Sequence, residues 1–62
     1  MSISEWLKSI GYEQYVSAFL KNDMDVDALA IASCSDLEKI VPPLGHRIKI
    51  LRARDLLLGS DV

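Results

Sequence analysis

His46 is the only histidine of this 62-residue chain and stands in Gly45-His46-Arg47, directly after Pro42-Pro43-Leu44. An imidazole can serve as a general base, a metal ligand or a contact for a partner. The first use needs a nucleophile within reach and a third group to orient the ring, and no serine or cysteine motif supplies them. The second needs further imidazoles or thiolates, and the sequence offers Cys34 alone. Cys34 lies between Ser33 and Ser35, ahead of an expected helix start whose dipole could lower a thiol pKa; a plain buried or half-buried cysteine accounts for it more simply. Gly45 at a helix start could present amides to an anion, yet one glycine is not a Gly-rich loop, and Pro42 and Pro43 remove two amides from the approach. A carboxylate from a partner protein suits such a start better than a nucleotide. The chain is therefore expected to be no enzyme and to need neither cofactor nor metal, with His46 capping a helix or touching another protein.

Charge carries more information than any single reactive group. The net value of −2 argues against a general polyanion binder, but the signs separate along the chain. Asp23, Asp25, Asp27, Asp36 and Glu38 share one stretch without a base, and Arg47, Lys49, Arg52 and Arg54 share another without an acid. Taken singly, the acids read as helix caps (Asp25, Asp36) and solvated surface, where isolated pairs contribute only about 0–1 kcal/mol. Taken together, they form one half of a complementary pair of surfaces.

Helices must position these residues. Ile3, Trp6, Leu7 and Ile10 recur at helical spacing, Ser2 with Glu5 has the form of a capping box, and Gly11 suits a left-handed exit, which predicts a helix over 3–10. Tyr12, Tyr15, Val16 and Phe19 repeat the spacing in a second helix, ending at Lys21 and a possible left-handed cap at Asn22. Trp6, Tyr12, Tyr15 and Phe19 are read as core. Asp25 can cap a short third helix with Val26, Leu29 and Ala30, and "SDLE" at 35–38 is a second capping box ahead of a short fourth helix with Leu37 and Ile40. The prolines end it. A fifth and longest helix runs from about Gly45 to Leu58, with Gly59 to stop it and residues 59–62 as a frayed tail. No stretch alternates like a half-buried strand, so the fold class is all-α, a compact five-helix bundle in one domain over 1–62.

Length sets outer bounds. A chain this short buries only about 60% of its unfolded surface, too little to enclose a catalytic cavity. Half the residues are hydrophobic and 26% charged, the profile of a folded domain. One cysteine excludes an internal disulfide and suits an intracellular protein. No apolar run approaches the roughly 20 residues that cross a bilayer, and Glu5 and Trp6 interrupt any signal-peptide core.

The order of elements, with Trp6-Leu7, Ile10-Gly11, Gln14-Tyr15, Phe19, Asn22, Asp25-x-x-x-Leu29, Asp36-Leu37, Gly45-His46-Arg47 and Lys49-Ile50-Leu51, resembles the sterile alpha motif (SAM) domain over nearly the whole chain. No single element is specific; their order and spacing are. Two departures stand out. Ile40-Val41 runs straight into Pro42-Pro43 where the family commonly has a glycine, and glycine-less connections of this kind resemble the SAM domains of some ankyrin-repeat scaffold proteins. Arg54 stands where the family usually has an aliphatic residue. Its stem is expected along the core edge with the guanidinium in solvent, or helix five is rotated so that Ile48, Leu51 and Leu58 carry more of the packing.

The resemblance implies a non-enzymatic interaction module in a cytoplasmic scaffold or signalling protein, whose partner is another SAM domain, either a copy of itself or a different one. In the family the middle of one domain commonly meets the start of helix five of the next. Here that would set Asp23, Asp25, Asp27, Asp36 and Glu38 against His46, Arg47, Lys49 and Arg52, with Met24, Val41 and Leu44 adding apolar contact. Because the two patches differ, the contact is heterologous and can propagate into open chains. A minority of SAM domains read RNA hairpins, which would use Lys8, Arg47, Lys49 and Arg52; the negative net charge makes nucleic acid the lesser alternative. Ser60-Asp61-Val62 has the form that PDZ domains capture, provided Val62 is a native carboxyl terminus.

Overall fold

The computed structural model describes residues 2–59. Helix α1 (Ile3–Ser9) opens on the expected capping box: the Glu5 amide donates to the Ser2 hydroxyl at 3.2 Å, and the Ser2 amide donates to the Glu5 carboxylate at 3.3 Å. Ile3, Trp6 and Leu7 face the core. Gly11 takes φ +84°, and the Tyr12 amide turns back onto the Leu7 carbonyl at 2.8 Å. The chain re-enters helix through one 3-10 turn (Glu13–Tyr15), a tighter geometry common at helix starts, before α2 (Val16–Lys21).

The left-handed residue after α2 is Asp23, at φ +54°, and not Asn22, whose φ is −102°. The Asn22 amide side chain instead donates to the Ala18 carbonyl at 2.8 Å, which also accepts the Asn22 backbone amide at 3.2 Å. Aspartate tolerates the left-handed region because its short carboxylate can bond locally. The turn brings the Met24 amide onto the Phe19 carbonyl at 2.8 Å. Helix α3 (Val26–Ile31) begins, as its sequence predicts, on Asp25, whose carboxylate accepts the Ala28 amide at 2.8 Å.

The expected fourth helix does not form. Residues 34–40 are consecutive turns in which Glu38 and Ile40 bond three residues back, while only Leu37 and Val41 reach four back. Two consecutive α-type bonds never occur there, and Pro42 and Pro43, which have no amide hydrogen, remove the donors that would extend the run. The reciprocal cap also sits elsewhere than in "SDLE". The Ser33 amide donates to the Asp36 carboxylate at 2.9 Å and the Asp36 amide donates to the Ser33 hydroxyl at 3.2 Å. Five expected helices thus become four α-helices and a 3-10 turn, with no strand among the described residues.

Helix α4 (Leu44–Leu57) is the longest, and Gly59 closes it at φ +73°. The core is assembled from every segment: Leu7 from α1, Phe19 from α2, Leu29 from α3, Leu37 and Val41 from the turns, and Ile50 from α4 are all fully buried. Each such side chain is worth about 1.5–3 kcal/mol when withdrawn from water. Tyr12, Tyr15, Met24, Leu51 and Ala53 pack half-buried around this centre.

Candidate functional site

Helix α4 divides the basic residues between two faces, and the period of 3.6 decides which is which. Ile50 is fully buried, so residues four before and four after it share its face. Those residues are His46 and Arg54, and both point into the domain. His46 Nδ1 shares a hydrogen bond with the Tyr15 hydroxyl. Its ring lies 5.1 Å from Tyr12 and 5.7 Å, edge to face, from Tyr15, in a three-ring cluster joining the 3-10 turn to the first turn of α4. Arg47, beside it and also half-buried, spans back to the proline segment through Nη1, which donates to the carbonyls of Val41 at 3.2 Å and Pro42 at 3.1 Å. Its Nε is buried without a partner among the described residues. Arg47 thus fixes the entry to α4 in a place where Pro43, the N-cap, makes no side-chain cap bond.

The opposite face is open. Leu44 and Ile48 are each 55% exposed, and Lys49 and Arg52 are exposed beside them. Positions 44, 48 and 52 form one i, i+4, i+8 row, so this edge presents two aliphatic side chains followed by a guanidinium. Of the four residues expected to make a basic surface, Lys49 and Arg52 therefore project freely, while His46 and Arg47 are engaged within the chain. Of the apolar neighbours expected at a contact, Leu44 is exposed and Met24 half-buried, but Val41 is fully buried and belongs to the core.

Arg54 departs from both expectations. Its guanidinium is not in solvent: Nη1 donates to the Leu29 carbonyl at 3.2 Å and the Ala32 carbonyl at 2.6 Å, while Nε and Nη2 meet the Asp55 carboxylate at 3.0 and 2.7 Å. Nor is α4 rotated toward Ile48 and Leu58, which remain 55% and 48% exposed. A cation against the last carbonyls of α3 satisfies groups that a helix leaves orphaned and complements its dipole. Counting four residues on from Ile50 was the available signal for this role.

All five acids expected at the other surface are exposed. Asp23 sits in the left-handed turn, Asp25 caps α3, Asp27 lies in the first turn of α3, and Glu38 follows in the turn segment. The two bonds from Ser33, the backbone one foremost, hold the Asp36 carboxyl below the ordinary aspartate value. Capping uses one oxygen of Asp25 and leaves the carboxylate in solvent, so local structure and surface charge coexist there. Two of these acids, Asp23 and Asp25, line with Ile3, Leu20 and Met24 an open hollow of about 180 Å³. Among the described residues no group of three or more potential ligands could hold a metal, and no helix is long and apolar enough to cross a membrane. Ser60-Asp61-Val62 lies outside the described residues.

The model of the SAM domain (sterile alpha motif) matches residues 1–57, and the chain belongs to that family. SAM domains are generally non-catalytic interaction modules. Among curated proteins, stress-activated protein kinase alpha of Dictyostelium discoideum is 36% identical over 58 residues. That match takes in 92% of this chain and 9% of the kinase, so the chain corresponds to a small part of that relative. No solved structure gives a significant match.

Proposed function

We propose that this domain joins other SAM domains, either copies of itself or different ones, by setting the acidic strip of one domain against the exposed base of α4 on the next, within a scaffold or signalling protein. The observation that carries the reading is the segregation of exposed charge. Asp23, Asp25, Asp27, Asp36 and Glu38 lie together in one segment, and Lys49 and Arg52 lie on the outer face of α4. Complementary potentials of this kind set register and association rate, while desolvated apolar neighbours supply affinity. His46 and Arg47 contribute by fixing the start of α4, and the Arg47 guanidinium adds its charge to the same end of the helix. The name of the kinase relative supports a signalling context.

Light scattering of the wild type, Asp27→Lys and Lys49→Glu tests this. Both substitutions fall at exposed positions, so folding should be preserved within about 0.5 kcal/mol. The expected result is concentration-dependent association of the wild type, loss of it in each single variant, and a dimer that stops there when the two variants are mixed. Unchanged mass in both variants beside an associating wild type would contradict the reading.

A further inference from the structure

Three serines of the chain have an acid three residues further on: Ser2 with Glu5, Ser33 with Asp36 and Ser35 with Glu38. This spacing has two uses. Closed on itself, it caps a turn, the serine and the acid each taking the other's backbone amide. Left open, it offers a free hydroxyl followed by carboxylates, the charge pattern by which an acid-directed kinase selects a serine. The structure closes two of the three. The Ser2 hydroxyl accepts the Glu5 amide at 3.2 Å and donates to the Glu5 carboxylate at 3.3 Å, which also takes the Ser2 amide. The Ser33 hydroxyl accepts the Asp36 amide at 3.2 Å, and the Asp36 carboxylate accepts the Ser33 amide at 2.9 Å. Between Ser35 and Glu38 the bond is one of backbone alone, from the Glu38 amide to the Ser35 carbonyl at 3.3 Å. Neither the Ser35 hydroxyl nor the Glu38 carboxylate makes a hydrogen bond among the described residues, and both residues are exposed. They stand in the turns of residues 34–40, where no helix has to unwind for the segment to enter an enzyme's groove.

We propose that Ser35 is a phosphorylation site for an acid-directed serine kinase, with Asp36 and Glu38 as the carboxylates that the kinase reads. In the transfer the Ser35 hydroxyl oxygen bonds to the γ-phosphorus of the ATP held by the kinase. The bond from that phosphorus to the β,γ-bridging oxygen breaks, ADP leaves, and the hydroxyl proton passes to the base of the kinase. The product carries about −1.5 to −2 at neutral pH, which takes the net charge from −2 to about −4. The added charge falls inside the acidic strip and displaces no bond, because the hydroxyl holds none. Ser33, two residues away, would respond in the opposite sense. A phosphate there would face the Asp36 carboxylate at the distance of a hydrogen bond, and like-charge repulsion would break both bonds of the cap. The same chemistry thus reinforces the strip at Ser35 and opens the turn at Ser33. The consequence for binding rests on the proposed association, whereas the modification site itself does not.

The experiment incubates the folded 62-residue chain with casein kinase 2, an acid-directed serine kinase, and magnesium ATP, and maps the product by peptide mass spectrometry. One phosphate is expected, on Ser35. Ser35→Ala should abolish it, and Glu38→Gln, at an exposed side chain without a bond to lose, should slow it by about tenfold, the scale of one lost charge contact. No incorporation, or incorporation at Ser2 or Ser33 ahead of Ser35, would overturn the site. Chains phosphorylated by synthesis at Ser35 or at Ser33 are then melted and followed by circular dichroism. The first should melt with the unmodified chain and the second below it; a Ser35 phosphate that lowers the melting temperature as much would overturn the claim that this hydroxyl is free. Calorimetric titration adds the consequence. The Lys49→Glu form phosphorylated at Ser35 should bind the Asp27→Lys form about threefold or more tightly than before, and the gain should shrink at high salt and at about pH 5, where the phosphate loses its second charge. Phosphorylation that leaves this affinity unchanged would overturn the role of Ser35 in association. If the two forms fail to bind with or without phosphate, the association falls, while the site stands on the mass spectrum alone.

Discussion

The acidic strip and the base of α4 carry opposite charges, and they also use them differently. On the acidic side, Asp25 caps α3 and Asp36 closes a turn with Ser33, yet both remain exposed. On the basic side, His46 and Arg47 are drawn into the domain by Tyr15 and by the Val41 and Pro42 carbonyls, leaving Lys49 and Arg52 to face outward. Chain length within the side chain explains the contrast. A carboxylate one carbon from the backbone can serve only its own turn and still see water, whereas an arginine can reach across to another segment and be buried along its stem. Acids in caps are therefore compatible with a docking surface, while a base that bridges two segments is mainly structural.

Substitutions that separate the two uses should sharpen this contrast. The largest effect is expected at Arg47, where alanine removes a charged donor from two carbonyls and costs about 1.5–3 kcal/mol; Lys49→Ala should stay within about 0.5 kcal/mol. Urea unfolding of the two variants measures both, and equal stabilities would break the distinction between inner and outer bases. The acidic side repeats the comparison on a smaller scale. Asp25→Ala loses the cap of a six-residue helix and should cost about 1 kcal/mol, against little for Asp27→Ala, since the Asp27 side chain makes no hydrogen bond among the described residues.

The smallest effect is one of pH. Because Ser33 lowers the Asp36 carboxyl below 3.8, the ionised form contributes stability that is complete above that value and is lost as pH falls through the lowered one. Wild type should therefore exceed Asp36→Asn in melting temperature at neutral pH, and the gap should narrow below pH 3.8. A gap that stays constant into acid would show that Asp36 acts through shape and not through charge.

Much of the fold was legible in the sequence because its signals were local. The Ser2–Glu5 box, the glycine exits at Gly11 and Gly59 and the Asp25 cap each depend on residues within one turn, and each forms. The fourth helix failed for a reason also local but opposed: Leu37 and Ile40 have helical spacing, and Leu37 and Val41 are fully buried, but burial of a few side chains does not require a helix when turns place them equally well. The left-handed cap moved from Asn22 to Asp23 because propensity favours either residue and only the closing of the next turn onto Phe19 chooses. The candidate site was legible as charge and illegible as geometry. Four bases in a row along the sequence look alike until the buried position of Ile50 fixes the face, and the partners that then claim His46 and Arg54 lie 31 and 22–25 residues away.

The most direct test of the account is a residue-resolved map of the contact. Mixing isotopically labelled Asp27→Lys with unlabelled Lys49→Glu, and then reversing the label, isolates one interface and reports each side of it by amide NMR shifts. The account predicts shifts at Leu44–Arg52 in the first experiment and at Leu20–Asp27 in the second, weakening as salt is raised. Shifts centred elsewhere, or none at millimolar concentration, would contradict it.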